Sequence, residues 1–521
     1  MPLTYPSIFN DVIGPVMRGP SSSHCAAALR IGRIARDLLD GRIDEIRIQF
    51  DPHGSLATTH ASQGSDMGLF GGLLGWEATD ERLADSAAWI AAAGIKTSLQ
   101  IVAIGATHPN TYRLTLKNAT ERHSLTAIST GGGMIEVVEI DGNPLSLGGD
   151  YYETLLYPAS NSCQLFQFLS TRIEADEINL LEAGNDPIIQ IKAQAFLQPE
   201  FVAELRAKFD LRFLKFISPV LPVLSRKNLH VPFITCEEML HYNRDKNLPL
   251  WELALHYESA RGDLSQAQVF QQMKDIVAIL QNAIAEGLRG THYADRILGN
   301  QSGQFQAQME NRRLLDGGLL NRILLYVTAL MEVKSALGVI VAAPTAGSCG
   351  ALPGAVIGAA SAMRLSQDEM TQAMLAAGLI GVFIAAHATF AAEVGGCQAE
   401  CGAGSGMAAA ALVTLAKGTL AQALSAASLA LQNILGMICD PVANRVEAPC
   451  LGKNIMAASN ALACANMALA DFAALIPLDQ VIETMDRVGK SLPVELRCTG
   501  LGGLSITAAS QALEKGLQQT G

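Results

Sequence analysis

The sequence predicts an α+β small N-terminal domain followed by a large all-α domain. Three observations carry that prediction. Short alternating runs separated by glycine-rich turns dominate residues 1–155. Helical periodicity runs almost unbroken from 231 to 521. Between them, at 156–230, the pattern weakens into a connector or inserted module, ending in the proline-broken SPVLPVLSRKNLHVP.

In the first domain IDEIRIQFD (43–51), TSLQIVAIGA (97–106), TYRLTLKNA (111–119) and HSLTAIS (123–129) alternate as strands. AAALRIGRIARDLLDG and DMGLFGGLLG read as helices. GGGMIEVVEIDGNPLSL (131–147) reads as a hairpin turning at Asp-Gly. In the middle stretch IEADEINLLEAGNDP (173–187) and PEFVAELRAKFDLRFLKFI (199–217) are expected to be helices. The second half contains the helices TCEEMLHYNR, SQAQVFQQMKDIVAILQNAIAEGL and NRILLYVTALMEVKSAL. Glycine-rich joints such as APTAGSCGALPG interrupt the later ones, and no short repeat appears.

Hydrophobic residues make up 49% and charged residues 17% of the 521, which excludes a disordered chain. The net charge of −12, with no basic run, argues against a nucleic-acid surface. The opening MPLTYPSIFNDVIG lacks the basic start and apolar segment of a secretory signal, so a cytoplasmic location is expected. Ala373–Gly396 is long enough to span a bilayer. It carries His387 and Glu393 and lacks basic flanks, and a helix buried in a helical domain is the better reading. No membrane partner is expected.

Two groups of residues carry candidate chemistry. In RGPSSSHCAAALR a helix begins near Cys25. Its first N–H groups, the hydroxyls of Ser21, Ser22 and Ser23, and the imidazole of His24 are candidates to bind a carboxylate; a serine N-cap with an exposed histidine is the plain alternative. DPHGSLATTHASQGSD adds Ser55, Thr59, His60, Gln63 and Ser65, and His108 in THPNTYR reads equally as a loop cap or a substrate contact. The second group is thiols. Cys397 and Cys401 are four apart in GGCQAECG, and Cys439 and Cys450 flank CDPVANRVEAPC, whose prolines oppose continuous helix. Such thiolates suit zinc or an iron–sulfur cluster, and spacing does not choose between metal and buried thiols. Cys349, Cys163, Cys236 and Cys464 are expected in the core, and Cys498 remains an outside ligand candidate. APTAGSCGALPG lacks the Gly-Lys-Ser/Thr ending of a phosphate-binding loop.

RGPSSSHCAAALR, GSLATTHASQGSD, HPNTYR and STGGGMI resemble the small domain of the bacterial iron–sulfur-dependent L-serine dehydratases. AAPTAGSCGALPG, EVGGCQAECG, CDPVANRVEAPC with Asn454, and LRCTGLGGLS resemble its large helical domain, in the same order. The chain resembles the single-chain form in which the two domains are fused. The resemblance implies that the all-α domain carries the iron–sulfur site: a [4Fe–4S] cluster on Cys397, Cys439 and Cys450, with one open iron and no pyridoxal phosphate. It implies that L-serine is converted to pyruvate and ammonia through 2-aminoacrylate in a cytoplasmic homodimer. Catalytic roles then fall to His24, His60 and Ser23, and substrate binding to Ser21, Ser22, Ser23, Ser55, Thr59, Gln63 and Asn454.

The chain departs from the family's pattern in places. Gln63 stands where a histidine is usual, with His60 three places earlier. GNQSGQFQAQM (299–309) replaces a lysine-bearing double-glycine segment, and Arg445 follows CDPV. These changes point to an alternative substrate, another small β-hydroxy or β-thiol acid such as a dicarboxylate. A non-catalytic binding protein is the third reading.

Overall fold

The computed structural model describes residues 5–184, 186–293 and 296–520. The chain forms two compact units: residues 23–229 make one, and the segment up to Ser22 joins 230–520 in the other. This division differs from a sequential reading of 1–155, 156–230 and 231–521, because the first residues belong with the last half of the chain.

The sheet unit opens with helix α1 (Ala27–Asp37), strand β1 (Glu45–Phe50) and helix α2 (Ser65–Leu73). Strands β2 (Lys96–Ile101), β3 (Thr111–Lys117), β4 (Arg122–Gly131), β5 (Met134–Ile140) and β6 (Asn143–Leu147) follow. They form a six-stranded sheet in the order β2-β1-β3-β4-β5-β6, antiparallel except for β1 beside β2. The β5–β6 hairpin turns through Asp141 and Gly142, both at positive φ, as Asp-Gly turns do. Alternation does its work in β3, where Tyr112, Leu114 and Leu116 are fully buried. Helices α1 and α2 cross so closely that a Cβ at Gly72 would lie 2.1 Å from the Leu29 carbonyl oxygen, and one at Gly68 2.0 Å from that of Cys25. Glycine is therefore required there, and it holds the turn around Cys25 against α2.

The middle stretch corrects two expectations. Strand β7 (Tyr152–Pro158), helix α3 (Ser162–Arg172), strands β8 (Glu177–Leu181) and β9 (Ile188–Ala193), helix α4 (Pro199–Lys208) and strand β10 (Leu211–Ile217) run β-α-β-β-α-β. Their sheet order is β10-β7-β9-β8, all antiparallel: a ferredoxin-like module rather than a connector. The expected helix over 173–187, of which Asn185 lies outside the described residues, contains strand β8 instead. Pairing with β9 overrides the helix-forming Glu, Ala and Leu of that stretch. The expected helix over 199–217 stops at Lys208, and its second half is β10. Cys163, expected in the core, is exposed on α3.

The other unit is helical. Its principal helices are α5 (Leu250–Gly262), α6 (Gln266–Arg289), α7 (Leu319–Ser335), α8 (Ala351–Met363), α9 (Gln367–His387), α10 (Cys401–Leu415), α11 (Leu420–Gln432), α12 (Cys450–Leu469) and α13 (Leu478–Ser491). The alanine- and glycine-rich α10 packs against α8, α9, α11 and α12, which only small side chains allow at such proximity. A two-residue strand, Val16–Met17, pairs with Ile340–Val341 and anchors the first residues in this unit. By length and composition alone, Ala346–Met363 and Gln367–His387 could each cross a membrane, yet both are mostly buried inside the protein. His387, the last residue of α9, bonds the Ile234 carbonyl at 3.1 Å.

Candidate active site

The helical unit gathers thiols. Cys397 follows Gly396, whose φ of +72° turns the chain out of a short helix. Gln398, 1% exposed, then fixes the turn: it takes a bond from Gly436 N (2.9 Å) and donates to Met485 O (2.6 Å). Helix α10 starts afresh at Cys401, so Cys397 and Cys401 do not share one helix, yet their thiols are in hydrogen-bond contact, as are those of Cys397 and Cys439. Cys439 N donates to Leu496 O (2.8 Å), and Cys439 O accepts from Cys498 N (3.0 Å). This parallel bridge brings the Cys498 thiol against that of Cys439. Cys450 begins α12, close enough to interact electrostatically with Cys397 and Cys401.

Asn454, fully buried, ties these loops together. Its Oδ1 accepts from Gly350 N (3.2 Å) and Ala351 N (3.0 Å), satisfying the start of α8. Its Nδ2 donates to Gly347 O (2.8 Å) and Cys450 O (2.9 Å) and lies 3.6 Å from the Cys401 sulfur. Ser22 Oγ accepts from Ala346 N at 3.2 Å, so the serine turn reaches the same loop within this unit. Asp440 accepts from Lys453 Nζ (2.5 Å) and Leu504 N (2.9 Å). A Cβ at Gly503 would lie 2.7 Å from the Asp440 side chain, and one at Gly502 2.8 Å from the Glu495 carbonyl oxygen, which favours both glycines of LGGLS.

Charge is uneven across the site. Hydrogen bonds donated by Cys401 and Cys439 hold the Cys397 thiol well below its usual range. Burial pushes Cys450 up to about 12 and Cys349, which packs on Met331, up to about 11. Glu400 is pushed up to about 8, first by burial and then by the negative charge of Cys397, while Thr345 Oγ1 donates to its Oε1 at 2.7 Å. Among the described residues no three His, Cys, Asp or Glu side chains converge on a point that would hold a single ion. A cuboidal cluster sets no such demand, because each thiolate binds a different iron. Four buried thiols and the half-buried Cys498, with the lysines Lys334 and Lys453 acting on them, fit such a group.

The sheet unit holds a second, neutral network. Thr59 Oγ1 donates to Ser55 O (2.7 Å) and therefore accepts from His24 Nε2 (3.0 Å). That assigns the Nε2–H tautomer, leaving Nδ1 to accept from Ser23 Oγ at 3.2 Å. Burial lowers His24 to about 4. Ser55 Oγ donates to Asn110 Oδ1, and Asn110 N donates to His108 Nδ1 (3.1 Å). Ser23, His24, Ser55 and Thr59 are thus brought together. His60 instead pairs with Asp66 (2.8 Å), and Gln63 is buried one turn after Thr59. Ser21 and Ser22 belong to the helical unit, the chain passing between units after Ser22. Asn110, Thr345, Glu400, Lys334 and Lys453 went unnoticed in the sequence, since single residues in loops or helix ends carry no spacing signal.

Comparison with known proteins agrees with these motifs. A family model described as serine dehydratase alpha chain matches residues 245–505. The probable L-serine dehydratase alpha chain of Bacillus subtilis (strain 168) is 36% identical over 283 residues, 54% of this chain and 94% of that one. The L-serine dehydratase alpha chain of Peptoniphilus asaccharolyticus is 31% identical over 288 residues, 55% of this chain and 99% of that one. The probable L-serine dehydratase beta chain of the same Bacillus is 41% identical over 149 residues, 29% of this chain and 66% of that one. Half of this chain fits the family and nearly the whole Bacillus alpha chain is covered, so the chain belongs to the serine dehydratase alpha-chain family, with alpha-like and beta-like parts fused in one polypeptide.

Proposed function

We propose that the protein is an iron–sulfur-dependent lyase that dehydrates L-serine to pyruvate and ammonia, without pyridoxal phosphate. The observation that carries this reading is the assembly of Cys397, Cys439 and Cys450, with Cys401 and Cys498, around buried Asn454 in a chain of this family. A bound [4Fe–4S] cluster supplies a Lewis-acidic iron for a poor leaving group such as hydroxide. Cys397, Cys439 and Cys450 hold it, and Asn454 and Gln398 keep their loops in register.

Glu400, whose Oε1 is occupied by Thr345, holds a proton at neutral pH on Oε2. It is the proton-holding group of the site. Ser21 and Ser22 offer hydroxyls to the substrate carboxylate. To Ser23, His24 and His60 we assign substrate orientation and proton handling, and to Ser55, Thr59 and Gln63 substrate binding. His24 acts as a neutral hydrogen-bonding group, since burial keeps it uncharged above about pH 4. We also infer a cytoplasmic homodimer that takes no nucleic acid or membrane partner.

Anaerobically reconstituted protein is expected to bind about four irons per chain and to release keto acid from L-serine with no added cofactor. A panel of hydroxylated dicarboxylates and β-thiol amino acids tests the substrate. Highest turnover on one of those would replace serine, and a colourless protein without iron would overturn the reading.

A further inference from the structure

Lys334 lies in the last turn of α7 and is fully buried, at 0% exposure. Its one hydrogen bond among the described residues is donated to the Val446 carbonyl, in the loop between Cys439 and Cys450. It makes no ion pair there. Glu332, two residues earlier in the helix, is occupied by Gln301 N (2.6 Å), Ser302 and Arg296 (3.2 Å). Buried Lys215, by contrast, meets Asp40 at 2.8 Å and Glu121 at 2.5 Å, and even the partly exposed Lys453 meets Asp440 at 2.5 Å.

A buried ammonium without a counter-charge is costly, and proteins retain one where an anion offsets it. The Lys334 charge acts on Cys349, Cys450 and Glu400. No carboxylate among the described residues pairs with the Lys334 ammonium, so its counter-anion has to come from what the Val446 loop holds. A thiolate-ligated centre at Cys397, Cys439 and Cys450 would supply one.

We propose that Lys334 is the built-in counter-charge of that centre: a positioning residue that stabilises its anionic state through Cys450 and the Val446 loop. The proposal rests on the cluster reading, and it goes beyond the ligand set by naming a residue that tunes the cluster without touching it. A positive charge beside a redox group favours the more negative, reduced state, so removing it lowers the midpoint potential.

The test compares full-length wild type, Lys334→Met and Lys334→Arg, each cluster-free and anaerobically reconstituted. In cluster-free protein the methionine variant is expected to be at least as stable to denaturant as wild type, because it removes an unpaired buried charge. After reconstitution it should lose iron to a chelator at least ~10-fold faster. Its midpoint potential should fall, by ~59 mV for each tenfold change in the one-electron equilibrium. Lys334→Arg should restore the potential. If Lys334→Met destabilises the cluster-free protein and leaves chelation and potential unchanged, the lysine is only a strut for the Val446 carbonyl and the proposal falls. Wild-type protein that takes up no iron would instead overturn the cluster reading, before any variant is compared.

Discussion

The two units treat buried polarity in opposite ways. In the sheet unit, Ser23, His24, Thr59, Ser55 and Asn110 form a neutral relay in which each donor meets an acceptor. The helical unit concentrates thiols, Glu400 and Lys334, whose ammonium meets no carboxylate among the described residues, in one buried cluster. A balanced network can orient a ligand; an unbalanced one signals that something charged belongs there. The difference teaches where a cofactor is to be sought.

Removing a thiol should have the largest effect. Cys397→Ser or Cys439→Ser is expected to abolish visible absorbance and reduce turnover by at least ~100-fold, since a hard hydroxyl poorly replaces a soft thiolate. Cys401→Ala and Cys498→Ala, measured for iron in parallel, show whether the contacting thiols ligate as well. Full iron in both would confine the ligand set to three.

Asn454→Ala comes next. It strands the Gly350 and Ala351 N–H groups and the Gly347 and Cys450 carbonyls. A stability loss of roughly 2–4 kcal/mol is expected in denaturant titration. An unchanged midpoint would mean that the loops are held by other contacts.

His24 tests the neutral side. Its folded pKa, about 4, lies below the unfolded 6.5, so the unfolded chain binds more protons between those values. Stability contributed by neutral His24 is therefore complete above pH 6.5 and is lost as pH falls toward 4, by on the order of 3 kcal/mol. His24→Gln should flatten that slope in the sheet unit. An unaltered pH dependence would show that His24 is solvated.

Glu153, fully buried in β7, runs the other way. Burial raises its carboxyl to about 8, and among the described residues only one of its oxygens has a partner, Gln190 Nε2 at 2.7 Å. The folded state keeps a proton that the unfolded state releases, so stability falls as pH rises from about 4.5 to 8. Glu153→Gln should stabilise the protein at pH 8 by about 1 kcal/mol or more, with little gain at pH 4. Equal stability at both pH values would place water beside the free oxygen.

Much of the fold was legible because period-2 and helical patterns were strong, as in β3 and α6. β10 was not, and the reason is Lys215. In LRFLKFI it occupies an inward position at 2% exposure, where a lysine reads as solvent-facing. Glu121 and Asp40, distant in sequence, neutralise it. The same applies to the site. Cys439 and Cys450 announce themselves by their shared loop, whereas Cys498 arrives only through backbone pairing with Cys439. Glu400 and Lys334 acquire meaning from burial, which one-dimensional spacing does not encode.

The pairing of Val16–Met17 with Ile340–Val341 has a consequence for biogenesis. The sheet unit is inserted into the helical one, whose first strand leaves the ribosome long before its partner. The sheet unit has its own hydrophobic core and can fold while the rest is being made. The helical unit must wait, its early strand held unpaired until residue 341 is synthesised. Interrupting synthesis after residue 229 should therefore release a protected sheet unit beside a protease-sensitive N-terminal segment.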